Sequence, residues 1–310
     1  MNLTEQARPI IVGYEDTPQG RDALAMGVAL VHATGDPLTL AGAYGPAAVL
    51  SPDELDERAA EIGQRLERVA ESVKTDLPSG VEIAAVPGSS AAAALQALSE
   101  ALDARALVLG SCHRGRVGRV LMGSVAERLL NGALCPVVVA PRGIAEGDEP
   151  RLRTICAGFD DRAEGWTALQ RAAQLAGAAG ARLRVVTALP PLTGTTAMPS
   201  LPAEFVAERD RRAEIELARA VESVSERLES EPRLVRGYPQ VVLANEAQDV
   251  DLLVTGSRGY GPFRRVLLGS VSTALMRSAP CPVMVVPRAA KFEPGGEGMA
   301  AEDEFANTTR

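Results

Sequence analysis

Aromatic residues supply only 3% of this 310-residue chain, so its cores must be built from alanine, valine and leucine; apolar residues as a whole still reach 46%. Cationic excess is missing. Against 32 lysines and arginines stand 40 acidic residues, for a formal charge of −8. A general nucleic-acid or membrane-surface binder needs a basic face, so neither class is expected as a partner. No apolar run approaches the roughly 20 residues of a membrane span. The opening MNLTEQARPIIVGYED is too polar for a secretory leader, which makes the cytoplasm the expected location. Cysteines are few, namely Cys112, Cys135, Cys156 and Cys281. With no CxxC pair among them a zinc site is not expected; most read as small buried hydrophobes in a reducing compartment. The P-loop pattern G-x4-G-K-[ST] is also missing, as is a lysine-and-carboxylate set for phosphoryl transfer. Turnover is not indicated, or is at most slow.

What the chain does have is a second copy of itself. GSCHRGRVGRVLMGSVAERLLNGALCPVVVAP at 110–141 aligns without gaps on GSRGYGPFRRVLLGSVSTALMRSAPCPVMVVP at 256–287, with about half the positions identical. IIVGYED at 10–16 likewise parallels TICAGFDD at 154–161. Near-constant register from front to back predicts two similar domains, residues 1–143 and 152–289. A polar glycine-containing linker joins them, and an acidic tail at 290–310, without periodicity, is expected to be disordered.

Each copy alternates short apolar runs with helical patterns. In the first, PIIVGY, PLTLAGAY, VEIAAV, ALVLG and PVVVA predict five strands. Between them lie helical stretches, one of them entered at Ser51 as N-cap with Pro52 behind it. Strands this short and this uniformly apolar are covered on both faces, which favours a parallel sheet between helix layers. Right-handed crossovers then give an α/β class with two tandem doubly wound five-stranded domains, layered as in Rossmann and flavodoxin folds.

In such sheets ligands bind at the carboxyl ends of the strands, near the switch point, where residues 256–272 fall. Gly256 and Gly259 are expected to let backbone N–H groups approach a ligand, and Gly269 to do so at the next helix entrance. Ser270 is expected at the N-cap. Val271 and Ser272 follow with N–H groups that lack intrahelical partners. With Arg258 nearby, the whole is an anion site of the phosphate-cradling type. The plainer alternative is that the glycines only shape turns. The spacing G-x2-G-x9-G-S, placed after a strand and nearly repeated, favours the phosphate reading. In the first copy Gly110, Gly123, Ser124 and Val125 hold the same places, with His113 where the second copy has Gly259.

These stretches, with VGYED, AGFDD, CPVVVAP and CPVMVVP, resemble the hallmarks of a tandem universal stress protein of the ATP-binding branch, over both copies. The resemblance implies an ATP-binding regulatory stress-response protein whose glycine motif holds the triphosphate. Mg²⁺ would arrive with the phosphates rather than in a protein cage. It also implies that an acidic residue ending the first strand and a residue late in the second line the nucleoside pocket. In the second domain these are Asp160 and Ala188, beside Gly158 and Phe159. In the first they are Glu15 and Ala43, beside Gly13 and Tyr14. Glu15 is a methylene longer than the usual aspartate, and His113 adds a ring, so the motif is intact in the second domain and degenerate in the first. The closing strands are expected to pair antiparallel, making an intramolecular pseudo-dimer, with further homodimerisation open and a protein partner unidentified. The alternative is a nucleotide-independent interaction or scaffold protein of the same fold. Asp160 and Asp161 have a second reading as caps of the following helix, and His32 reads as a surface or packing residue.

Overall fold

The structure, a computed structural model, describes residues 8–77, 79–112, 117–192, 202–225, 228–257 and 268–287. His113, Arg258, Gly259 and the acidic tail lie outside the described residues. The first copy runs β1 (Ile10–Gly13), α1 (Pro18–Thr34), β2 (Leu38–Tyr44), α2 (Pro52–Val73), β3 (Val81–Pro87), α3 (Ala91–Ala101), β4 (Ala106–Gly110), α4 (Ser124–Leu130) and β5 (Val137–Ala140). The second runs β6 (Thr154–Gly158), α5 (Ala163–Ala179), β7 (Arg182–Leu189), α6 (Ala203–Ser225), β8 (Ser230–Arg236), α7 (Pro239–Glu246), β9 (Leu252–Gly256), α8 (Ser270–Leu275) and β10 (Val283–Val286).

Local chemistry places the boundaries. Thr17 caps α1 by accepting the Gly20 N–H at 3.1 Å, and Gly35 ends the helix in the left-handed region at φ 73°, where a side chain would be strained. Ser51 and Glu54 form a reciprocal capping box at the start of α2, as the Ser-Pro pair in the sequence suggests.

Ten strands form one sheet in the order β3-β2-β1-β4-β5-β10-β9-β6-β7-β8. Within each copy neighbours are parallel, and the order is that of a doubly wound half with its switch point between β1 and β4, or β6 and β9. The two five-stranded units are continuous with each other. β5 and β10 pair antiparallel, Val139 with Val283, Val138 with Met284 and Val137 with Val285. The cause is in the sequence: both strands are apolar throughout, and alone each would offer an unpaired edge to water. All eight of their residues are buried.

The linker is less free than its glycines suggest. Asp22 of α1, 1% exposed, accepts the N–H of Gly143 at 2.9 Å and of Ala145 at 3.0 Å, fixing a short 3-10 turn over Ile144–Glu146. Cys135, Cys156 and Cys281 are buried in the apolar core as expected. Burial pushes the Cys281 thiol up to about 12 and raises those of Cys135 and Cys156. His32 packs at the end of α1, its Nε2 2.9 Å from the Asp76 carbonyl. Among the described residues no helix is long and apolar enough to cross a membrane.

Candidate functional site

Each copy opens a cleft at its switch point, on the sheet face that carries the third and fourth helices. Alternation along β1 decides which side chains reach it. Gly13 and Glu15 fall on the cleft side. Tyr14, between them, is buried in the core of the opposite face with Val12. Desolvation there, followed by the nearby Asp16 carboxylate, raises the Tyr14 phenol above its ordinary value. Phe159 is its counterpart and stacks edge-on against Trp166, ring centres 5.1 Å apart. Tyr14 and Phe159 therefore border their clefts while their rings serve the core.

The first cleft has a volume of about 520 Å³. Ala41, Ala43, Leu95 and Leu109 give it apolar walls, and Glu15, Thr17, Gln19 and Ser111 a polar rim. Gly110, Gly123, Ser124 and Val125 close one end with backbone. The site residues expected from the first copy thus come together, apart from His113, which is outside the described residues. Ser111 latches the closing segment in place: its Oγ donates to the Ala140 carbonyl at 2.8 Å and accepts the Leu121 N–H at 3.1 Å.

The second cleft gathers Gly158, Phe159, Asp160, Ala188, Gly256, Gly269, Val271 and Ser272, but holds only about 110 Å³. Val186 stands where the first cleft has Ala41, and Arg162 and Glu164 where it has Thr17 and Gln19. Ser270 is exposed at the mouth. Ser272 is buried and turns inward, its Oγ 3.0 Å from the Gly256 carbonyl and 3.1 Å from Thr255 Oγ1.

Four expectations change. The N-cap residues of α4 and α8 are Gly123 and Gly269; Ser124 and Ser270 are the first helical residues and make no cap. These helices are seven and six residues long, so they offer a few free amide groups rather than a long aligned dipole. Gly256 owes its bareness to the fold: a Cβ there would sit 2.5 Å from the Glu164 carbonyl oxygen, and Gly110 is packed in the same way against Gln19. Neither Asp160 nor Asp161 caps α5, whose N-cap is Arg162 with no side-chain bond. Asp161 instead accepts the Trp166 indole N–H at 2.8 Å, and Asp160 lies 3.8 Å from Arg162.

Gly123 is different. Its φ of −89° and ψ of 173° suit any residue, and among the described residues a Cβ would meet Cys112, at an ordinary 3.7 Å. Among the described residues, packing does not demand glycine there. The sequence reading missed Thr17, Gln19, Leu95 and Ser111. Only the Gly-Ser pair after the fourth strand, present in both copies, signalled Ser111 beforehand.

The class is therefore a tandem doubly wound α/β protein with a ligand-sized cleft at one switch point and a smaller one at the other. The universal stress protein family model matches residues 6–141 and 151–287, and the chain belongs to that family. A universal stress protein of Mycobacterium tuberculosis is 30% identical over 292 residues, spanning 90% of this chain and 99% of the relative. Among solved structures, a universal stress protein from Archaeoglobus fulgidus is similar in fold, with TM-score 0.63 at 18% identity, covering 91% of this chain and 99% of that one. A structure from Pseudomonas aeruginosa gives 0.65 at 17% identity, with 92% and 95% covered.

Proposed function

We propose that the chain is a nucleotide-binding regulatory protein and that ATP, or a related adenine nucleotide, occupies the cleft of the first domain. The nucleoside would lie against Glu15 and Ala43, and the phosphates toward Gly110, Gly123, Ser124 and Val125. One observation carries this reading: a cleft of about 520 Å³ falls within the range of roughly 300–1,000 Å³ typical of small-molecule sites, with apolar walls and a bare-backbone end. Among the described residues no group of histidine, cysteine, aspartate or glutamate could hold a metal ion. Mg²⁺ would come with the phosphates, which supply its ligands. ATP supplies charge and shape to be sensed. The chain's own part is to exclude water, orient the nucleotide and change its surface for a protein partner.

The second domain has the fuller motif, with Arg258, Gly259, Gly269 and Ser270 in the family's places, but less room. Its described lining encloses about 110 Å³, less than the first cleft, so the first cleft is taken as the primary nucleotide site. The test is mass spectrometry of nucleotides released from the denatured, purified protein, with thermal melts in ATP and Mg²⁺. Adenine nucleotide in the extract or a rise in melting temperature is expected. Neither, at millimolar ATP, would leave only the scaffold reading.

A further inference from the structure

We propose that occupancy of the first cleft is transmitted to the second domain through a strap of hydrogen bonds between residues 118–122 and the end of α8. The trigger rests on the nucleotide reading above; the path rests on geometry alone. Residues 118–122 lead directly into Gly123 at the cleft wall. On one side they are held by their own domain. The Cys112 N–H donates to Leu121 at 2.7 Å and the Gly118 N–H to Arg142 at 2.7 Å, while Ser111 holds Leu121 as described. On the other side they cross the domain boundary. The Val120 N–H donates to the Ala279 carbonyl and the Met122 N–H to the Met276 carbonyl, each at 2.8 Å. Arg119 Nη1 adds a bond to the Ser278 carbonyl at 3.0 Å.

Met276 is the C-cap of α8, and Gly269 is the N-cap of the same helix. One residue from the first cleft wall, the chain therefore grips one end of a helix whose other end lines the second cleft. At 1.5 Å per residue that helix is a rod of about 9 Å. Val120, Met276 and Ala279 are fully buried. Water cannot replace a broken strap bond there, and an orphaned buried N–H or carbonyl is costly. A displacement at Gly123 is thus passed on rather than absorbed. It continues to the end of β9, because Ser272 in α8 bonds the Gly256 carbonyl. Among the described residues the reciprocal contact is the Leu268 N–H donating to the Asn131 side chain, at 3.4 Å. Coupling free energy is mutual, so a partner that favours the shifted α8 must raise nucleotide affinity in the first cleft by the same factor.

The experiment is hydrogen–deuterium exchange on the full chain carrying Gly269→Asp, which disables the second cleft, with and without ATP and Mg²⁺. Binding is followed separately by calorimetry. Peptides covering 268–279 should exchange at least about threefold more slowly with ATP, and this change should shrink when Arg119→Ala or vanish when Gly123→Asp is added. ATP that binds while exchange at 268–279 stays constant, or a change that survives Gly123→Asp, overturns the coupling. Failure to bind ATP at all defeats the nucleotide reading instead. The strap is then tested without ligand: Arg119→Ala should by itself speed exchange at 268–279, and unchanged exchange would show that no strap operates.

Discussion

Asp22 and Gly143 lie 121 residues apart and are joined by a 2.9 Å hydrogen bond from the Gly143 N–H to Asp22 Oδ2. The other carboxylate oxygen takes the Ala145 N–H. The second copy has Thr167 at the corresponding place, half-buried and bonded to its own helix through the Ala163 carbonyl, so among the described residues this carboxylate anchor occurs once. Hydrogen bonds to a charged group are worth roughly 1.5–3 kcal/mol each. Asp22→Ala, which strands two N–H groups, is predicted to lower stability by about 3 kcal/mol in urea denaturation. Asp22→Asn, keeping one acceptor, should lose less. Equal stability of Asp22→Ala and wild type would mean that the linker is not held by this carboxylate.

The two clefts differ at Ala41 and Val186, equivalent positions on the second strands of the two copies. Ala41→Val should shrink the first cleft and weaken ATP binding more than tenfold, about 1.4 kcal/mol, with the melting temperature nearly unchanged. Titration calorimetry and a thermal melt measure the two quantities. Undiminished affinity in a folded Ala41→Val protein would show that the cleft floor does not touch the nucleotide.

Three thiols should be inert and one reactive. Cys135, Cys156 and Cys281 are buried, and Cys112, half-buried, lines the first cleft. Iodoacetamide at pH 8 should label Cys112 first, as read by mass spectrometry; equal labelling of Cys135 would contradict the packing. Burial also sets a pH trend. Cys281 is pushed up to about 12 when folded, against about 8.5 unfolded, so the folded chain holds that proton more tightly. Its contribution is complete below pH 8.5 and is lost as pH rises toward 12. Denaturation midpoints should fall from pH 8.5 to 10.5, less steeply in Cys281→Ala, by up to about 1.4 kcal/mol per pH unit.

The sequence showed most of the fold, because the signals that place its elements are local. Apolar runs, Ser51 before Pro52, and Gly35 after α1 each act within a few residues. The duplicated glycine stretch located both clefts for the same reason. What stayed hidden depends on distant neighbours. Gly256 looked like a ligand-facing residue, and only the approach of the Glu164 carbonyl shows why it has no side chain. The helix entrance was assigned to Ser270 because serine is a good cap, yet the backbone turns one residue earlier, at Gly269. Asp22 looked like any helical aspartate, since its partners lie across 121 residues. The relative room in the clefts was not legible in the motifs, since wall positions such as Ala41 and Val186 lie outside them.

The most direct test of the central claim is calorimetric titration of ATP with Mg²⁺ into wild type and Gly123→Asp. The substitution fits the fold, since the backbone there suits any residue and a Cβ finds an ordinary contact with Cys112. It sets a carboxylate against the phosphates, a repulsion on the order of 2 kcal/mol or more in a partly desolvated site. The account predicts saturable binding in wild type and a loss of more than tenfold at the first cleft in a Gly123→Asp protein that melts as wild type does. Unchanged affinity and stoichiometry in that folded variant would contradict it.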